Sequence, residues 1–131
     1  MPNSKGPIIW VVEDDPPVRR YIAENLKLHG FRPMLFVSAE QAYAALGDQE
    51  PPSLIVLDML LPGMSGVDLI RLLKQNKDWE KVPVVVVSVL TREDSPAKES
   101  PNEVGKAYWI NKPFEADELI RTVHDILTVV R

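Results

Sequence analysis

Short runs of consecutive apolar residues alternate along this chain with longer stretches in which apolar residues recur every three or four positions. Residues 8–12, 54–57 and 84–87 are apolar at every position, the signature of strands buried on both faces. Residues 31–37 and 107–110 are weaker strand candidates, more polar and shorter of continuous apolar character. Between them lie amphipathic stretches. Residues 16–29 place Val18, Ile22 and Leu26 on one helical face and stop at Gly30. Ser38 is placed to cap a helix over residues 39–46, ahead of Gly47. Residues 65–76 turn Val67, Ile70 and Leu73 inward, and residues 115–130 do the same with Leu119, Val123, Ile126 and Val130.

Strand–helix alternation with doubly buried strands predicts an α/β fold: a doubly wound, five-stranded parallel sheet with helices on both faces. A flavodoxin-like strand order, 2-1-3-4-5, puts the two least apolar strands at the edges. No linker or low-complexity segment interrupts the pattern, so residues 1–131 are expected to form one domain with its core over about residues 7–130.

Composition changes this picture by exclusion. The net charge is −4 with Lys and Arg scattered, so no basic stripe invites nucleic acid or an anionic membrane surface. There are no cysteines, which removes disulfides, thiol chemistry and cysteine metal sites. The apolar runs are too short to span a bilayer, and the first residues lack the apolar segment of a secretory signal. The expected address is the cytoplasm.

Ligands in open parallel sheets bind beyond the carboxyl ends of the strands. There the chain reads Glu13-Asp14-Asp15 after the first strand, Asp58 after the third, Ser88 after the fourth and Lys112 after the fifth. The strand order makes the first and third strands neighbours, bringing Glu13 and Asp14 close to Asp58. Two carboxylates ~4 Å apart repel by roughly 4 kcal/mol at an effective dielectric of 20, so the group needs compensating charge. With only oxygen ligands on offer, Mg²⁺ is the natural cation. Lys112 adds positive charge, and the Ser88 hydroxyl can donate to a phosphoryl oxygen. A carboxylate nucleophile, a metal and two electrophilic supports together spell acyl-phosphate chemistry. Taken singly, each residue has a plainer reading. Asp14 or Asp15 before Pro16-Pro17 can cap a helix, Asp58 can be a turn residue, and Lys112 can end a strand in solvent. Their convergence on one sheet edge favours the functional reading.

In this order, Val11-Val12-Glu13-Asp14-Asp15 with Arg19, Asp58 with Pro62 and Gly66, Ser88, and Lys112-Pro113-Phe114 resemble the receiver domains of two-component signalling over about residues 7–130. The resemblance implies a phosphorelay switch. Asp58 would take a phosphoryl group from a phosphohistidine on a histidine kinase or histidine phosphotransfer protein. Glu13, Asp14, Asp58 and the Leu60 backbone carbonyl would hold Mg²⁺. Ser88 and Lys112 would contact the phosphoryl group, Trp109 would stand at the switch aromatic, and the Lys112–Pro113 peptide would be cis. The domain would catalyse its own phosphorylation and dephosphorylation only, and would act through an output domain or a target protein. Whether it stands alone or belongs to a longer regulator or hybrid kinase stays open.

Departures also matter. Val89 replaces the small residue usual after Ser88, and Pro96 and Pro101 fall where the family has its fourth helix, which is therefore expected to be short or partly unwound. These leave room for a phosphorylation-independent interaction module on the same fold. A nucleotide or flavin binder is disfavoured, because no glycine-rich loop follows the first strand. His29 and His124 read as helix-end and surface residues, and Trp10 and Trp79 as packing.

Overall fold

The computed structural model describes residues 6–91, 93–95 and 107–129. Five strands form one parallel sheet: β1 (Ile8–Val12), β2 (Arg32–Phe36), β3 (Leu54–Asp58), β4 (Val84–Ser88) and β5 (Tyr108–Asn111). Their order is β2-β1-β3-β4-β5, as the sequence pattern predicts. Among the described residues there are four helices: α1 (Pro16–Leu28), α2 (Ala39–Ala45), α3 (Gly66–Lys74) and α4 (Ala116–Val129). The expected short fourth helix between Asp94 and Gly105 falls almost wholly on residues 96–106, outside those described.

Alternate residues of β1 and β3 feed two separate cores, because successive side chains of a strand point to opposite faces. Trp10, Val12, Ile55 and Leu57 pack with α2 and α3 residues such as Ala39, Ala42, Leu69 and Ile70. Ile9, Val11, Leu54 and Val56 pack instead with Ile22 and Leu26 of α1 and with Leu119 and Val123 of α4. The first core also holds both packing tryptophans, with the Trp10 and Trp79 rings 4.8 Å apart and Trp10 against Phe36 at 4.4 Å. Each central strand is thus apolar throughout because each of its faces is covered.

Local signals set the helix ends. Ser38 caps α2 by accepting the Gln41 N–H at 3.0 Å. Ser65 and Asp68 form a reciprocal capping box at α3, each side chain bonding the other's backbone N–H at 3.1 Å. His29 ends α1, and its Nδ1 meets the Asn25 carbonyl at 2.9 Å. His124 is exposed on α4, its ring edge-on to Phe31 at 5.4 Å.

Candidate functional site at the carboxyl edge

The parallel register delivers the ends of β1, β3 and β4 to one edge of the sheet, and each strand's last residues are polar. Val12 of β1 pairs with Leu57 of β3, which sets Glu13 beside Asp58. Glu13 is 1% exposed and Asp58 5%, while Asp14 is exposed at the rim. Glu13, Asp14 and Asp58 each offer a carboxylate oxygen within 4.8 Å of the others. No other such group occurs among the described residues. The donor set is all oxygen, small and anionic, and so suits a hard divalent cation.

Lys112 reaches into this group from the far side of the sheet. Its Nζ donates to Glu13 Oε1 at 2.7 Å and to Asp58 Oδ2 at 3.3 Å. Burial would lower the lysine, but the Glu13 hydrogen bond and the two carboxylate charges hold it above its ordinary value. Burial pushes the Glu13 carboxyl up to about 7; Lys112 opposes the rise and the Asp58 charge adds to it. The second Asp58 oxygen, Oδ1, accepts the Leu60 N–H at 3.1 Å. Both oxygens of Asp58 are therefore engaged, and its turn bond to Leu60 coexists with its place in the charged cluster.

The acidic turn after β1 is organised by backbone contacts. The Asp15 N–H donates to Glu13 Oε2 at 3.2 Å, and Arg19 Nη1 of α1 donates to the Glu13 carbonyl at 2.8 Å. Asp15 occupies the cap position of α1, yet its side chain makes no cap hydrogen bond. The plain capping reading of this turn accordingly explains neither Asp14 nor Asp15.

Ser88 is fully buried at the end of β4, its Oγ accepting the Leu90 N–H at 3.2 Å. The Leu90 carbonyl in turn accepts from Trp109 Nε1 and from Asn111 Nδ2, both at 3.0 Å. Asn111 Nδ2 also lies 3.4 Å from the Ser88 carbonyl, which accepts the Lys112 N–H at 2.8 Å. Two side chains of β5 thus hold the turn that carries Ser88. Val89 is exposed beside it. The Lys112–Pro113 peptide is cis, and next to it Pro17, Val18, Tyr21, Lys112, Pro113 and Phe114 line an apolar groove of about 370 Å³.

At this edge Glu13, Asp14, Asp58 and Lys112 stand in one cluster, Ser88 ends β4 beside them, and Trp109 of β5 bonds the turn that follows Ser88. Leu60 enters through its N–H. Sequence reasoning missed Asn111, whose only signal is its place one residue before Lys112, and gave Arg19 no role.

Residues 9–124 match the family model of the response regulator receiver domain. This chain belongs to that family. The phosphate regulon transcriptional regulatory protein PhoB of Pseudomonas aeruginosa is 34% identical over 122 residues, a match covering 93% of this receiver domain and 52% of PhoB. Hybrid signal transduction histidine kinase D of Dictyostelium discoideum is 31% identical over 94% of this chain and 8% of its own. A solved signal receiver domain of a histidine kinase from Syntrophus aciditrophicus superposes with a TM-score of 0.83 at 27% identity, covering 96% of this chain and 93% of that one. The receiver domain spans only about half the length of PhoB. None of its described helices is long and apolar enough to cross a membrane.

Proposed function

We propose that this receiver domain is phosphorylated on Asp58 by a phosphohistidine of a partner histidine kinase or phosphotransfer protein in the cytoplasm. The observation that carries the reading is the Lys112 ammonium bridging Glu13 and Asp58 beside an otherwise repulsive carboxylate group. Such a group is costly to bury unless a charged ligand uses it. A carboxylate oxygen of Asp58 attacks the phosphorus, the phosphorus–nitrogen bond breaks, and the electron pair leaves on the imidazole nitrogen. Lys112, already within reach of Asp58, balances charge on the transferred group, and Ser88, whose Oγ accepts the Leu90 N–H, has its own O–H to donate to it. Glu13, Asp14, Asp58 and the Leu60 carbonyl would hold Mg²⁺, which when bound offsets the negative charge shared by carboxylates and phosphoryl oxygens. The turn bonded to Trp109 and Asn111 then changes its contacts, and an output domain or target protein reads the change. The groove that Lys112 lines with Pro17, Val18, Tyr21, Pro113 and Phe114 offers the donor protein a mainly apolar landing surface.

The test is intact mass after treatment with acetyl phosphate and Mg²⁺. Wild type gains one phosphoryl group and Asp58→Asn gains none. An unmodified wild type would point instead to a phosphorylation-independent interaction module, and an Asp58→Asn variant that gains the group would move the acceptor elsewhere.

A further inference from the structure

The loop from Met59 to Ser65 connects Asp58 to α3, and it is closed tightly at its base. Gly66 N–H donates to the Met59 carbonyl at 3.3 Å. A Cβ at Gly66 would lie 2.8 Å from the Asp58 carbonyl oxygen and 3.0 Å from Met59 Cα, so the loop returns against the Asp58 backbone itself. Near its start Leu60 N–H holds Asp58 Oδ1, and Leu61 is buried in the core. The far limb turns through Gly63 at φ +75°, a left-handed conformation that favours glycine.

That far limb is held from another element. Glu40, in the first turn of α2, accepts the Met64 N–H on Oε2 at 2.9 Å, across 24 residues of chain. A Cβ at Gly63 would run into the same carboxylate oxygen, so a side chain there would push Glu40 aside, while φ itself favours glycine. The Met64 N–H holds the Glu40 carboxyl below the usual carboxylate range. Glu40 is itself presented by a fixed turn: Ser38 caps α2, Gln41 Oε1 accepts the Val37 N–H at 2.8 Å, and Ala39 and Ala42 are buried on either side.

We propose that Glu40 is a positioning residue for the phosphoacceptor: by holding Met64 it fixes the loop that presents the Leu60 backbone to Asp58 and to the cation. Gly66 packs on the Asp58 backbone and bonds the Met59 carbonyl, so a shift of Met64 that reaches the base of the loop is passed to Met59 and to Leu60 beside it. The inference rests on the Asp58 reading for its consequence, though not for the coupling itself.

Two measurements separate these. Amide hydrogen exchange without metal reads the coupling. In Glu40→Ala the Met64 and Leu60 amides should both exchange on the order of tenfold faster, and Glu40→Gln, which keeps an acceptor oxygen, should restore both. Titration with Mg²⁺ reads the consequence. Glu40→Ala should weaken binding about tenfold, the scale for groups that orient a metal ligand, and slow phosphorylation by acetyl phosphate in step. Val123→Ala, which weakens the core on the opposite face of the sheet and touches neither Glu40 nor the loop, controls for lost stability and should leave Mg²⁺ affinity unchanged. Faster exchange at Met64 with Leu60 unmoved overturns the proposal, as does a Val123→Ala variant with the same Mg²⁺ defect. If wild type takes up neither Mg²⁺ nor a phosphoryl group, the Asp58 reading fails, and the exchange data still decide whether Glu40 governs Leu60.

Discussion

Along β3 the side chains of Leu54, Ile55, Val56 and Leu57 are fully buried, and one residue further the Asp58 carboxylate is buried too, at 5% exposure. The same step occurs on β1 from Val12 to Glu13, and on β4 from Val87 to Ser88. Middle and end of these strands share their burial and differ in everything else. In the middle, burial is favourable by itself, since each side chain leaves water for apolar neighbours. At the end, burial opposes ionisation, and the carboxylates persist only through Lys112 and the backbone N–H groups that meet them. One strand therefore builds the core and also carries, at its tip, groups held at a cost to stability.

The largest expected effect lies in the strand middle. Leu57→Ala leaves a cavity in a closed core and should destabilise the domain by about 4 kcal/mol, seen as an equal loss by chemical denaturation at pH 6 and pH 8. At the strand end the loss should depend on pH. Lys112→Met removes the cation from two buried carboxylates and should cost about 3 kcal/mol at pH 8. At pH 6 the cost should be smaller, because Glu13 can take up a proton instead. An equal loss at both pH values would mean that Lys112 serves packing and not charge.

The smallest effect is the pH dependence of the metal-free wild type. Glu13 is raised from 4.5 to about 7 in the folded protein, so the folded state binds the extra proton. The stability linked to that proton is fully present below pH 4.5 and is lost as pH rises through about 7. The wild type should therefore lose at most roughly 3 kcal/mol relative to Glu13→Gln across this window. Because a cation needs Glu13 deprotonated, the thermal shift produced by Mg²⁺ should be larger at pH 8 than at pH 6. A Glu13→Gln variant with the wild-type pH profile would sink the assignment of the titration to Glu13.

The sequence by itself determined the elements and which polar groups stand at the carboxyl edge. Doubly covered parallel strands must be apolar at every position, so β1, β3 and β4 stand out, and the first polar residue past each run marks the carboxyl edge. Strand order followed from which strands were least apolar. The element ends drifted by a residue or two: β5 runs Tyr108–Asn111 where residues 107–110 were expected, because a polar Asn in an edge strand carries no hydrophobic signal. Only the tertiary structure decided how the site is held. Lys112 grips Glu13 more closely than Asp58, Asp15 sits at a cap position without capping, and Asn111, Trp109 and Glu40 fasten the two loops beside Asp58. The bonds from Glu40, Trp109 and Asn111 run from side chains to backbone groups 19 to 24 residues away. Periodicity and motif reading see side-chain identity at short range, and a backbone N–H or carbonyl is the same in every residue. Such bonds leave no trace in the chain until folding brings their ends together.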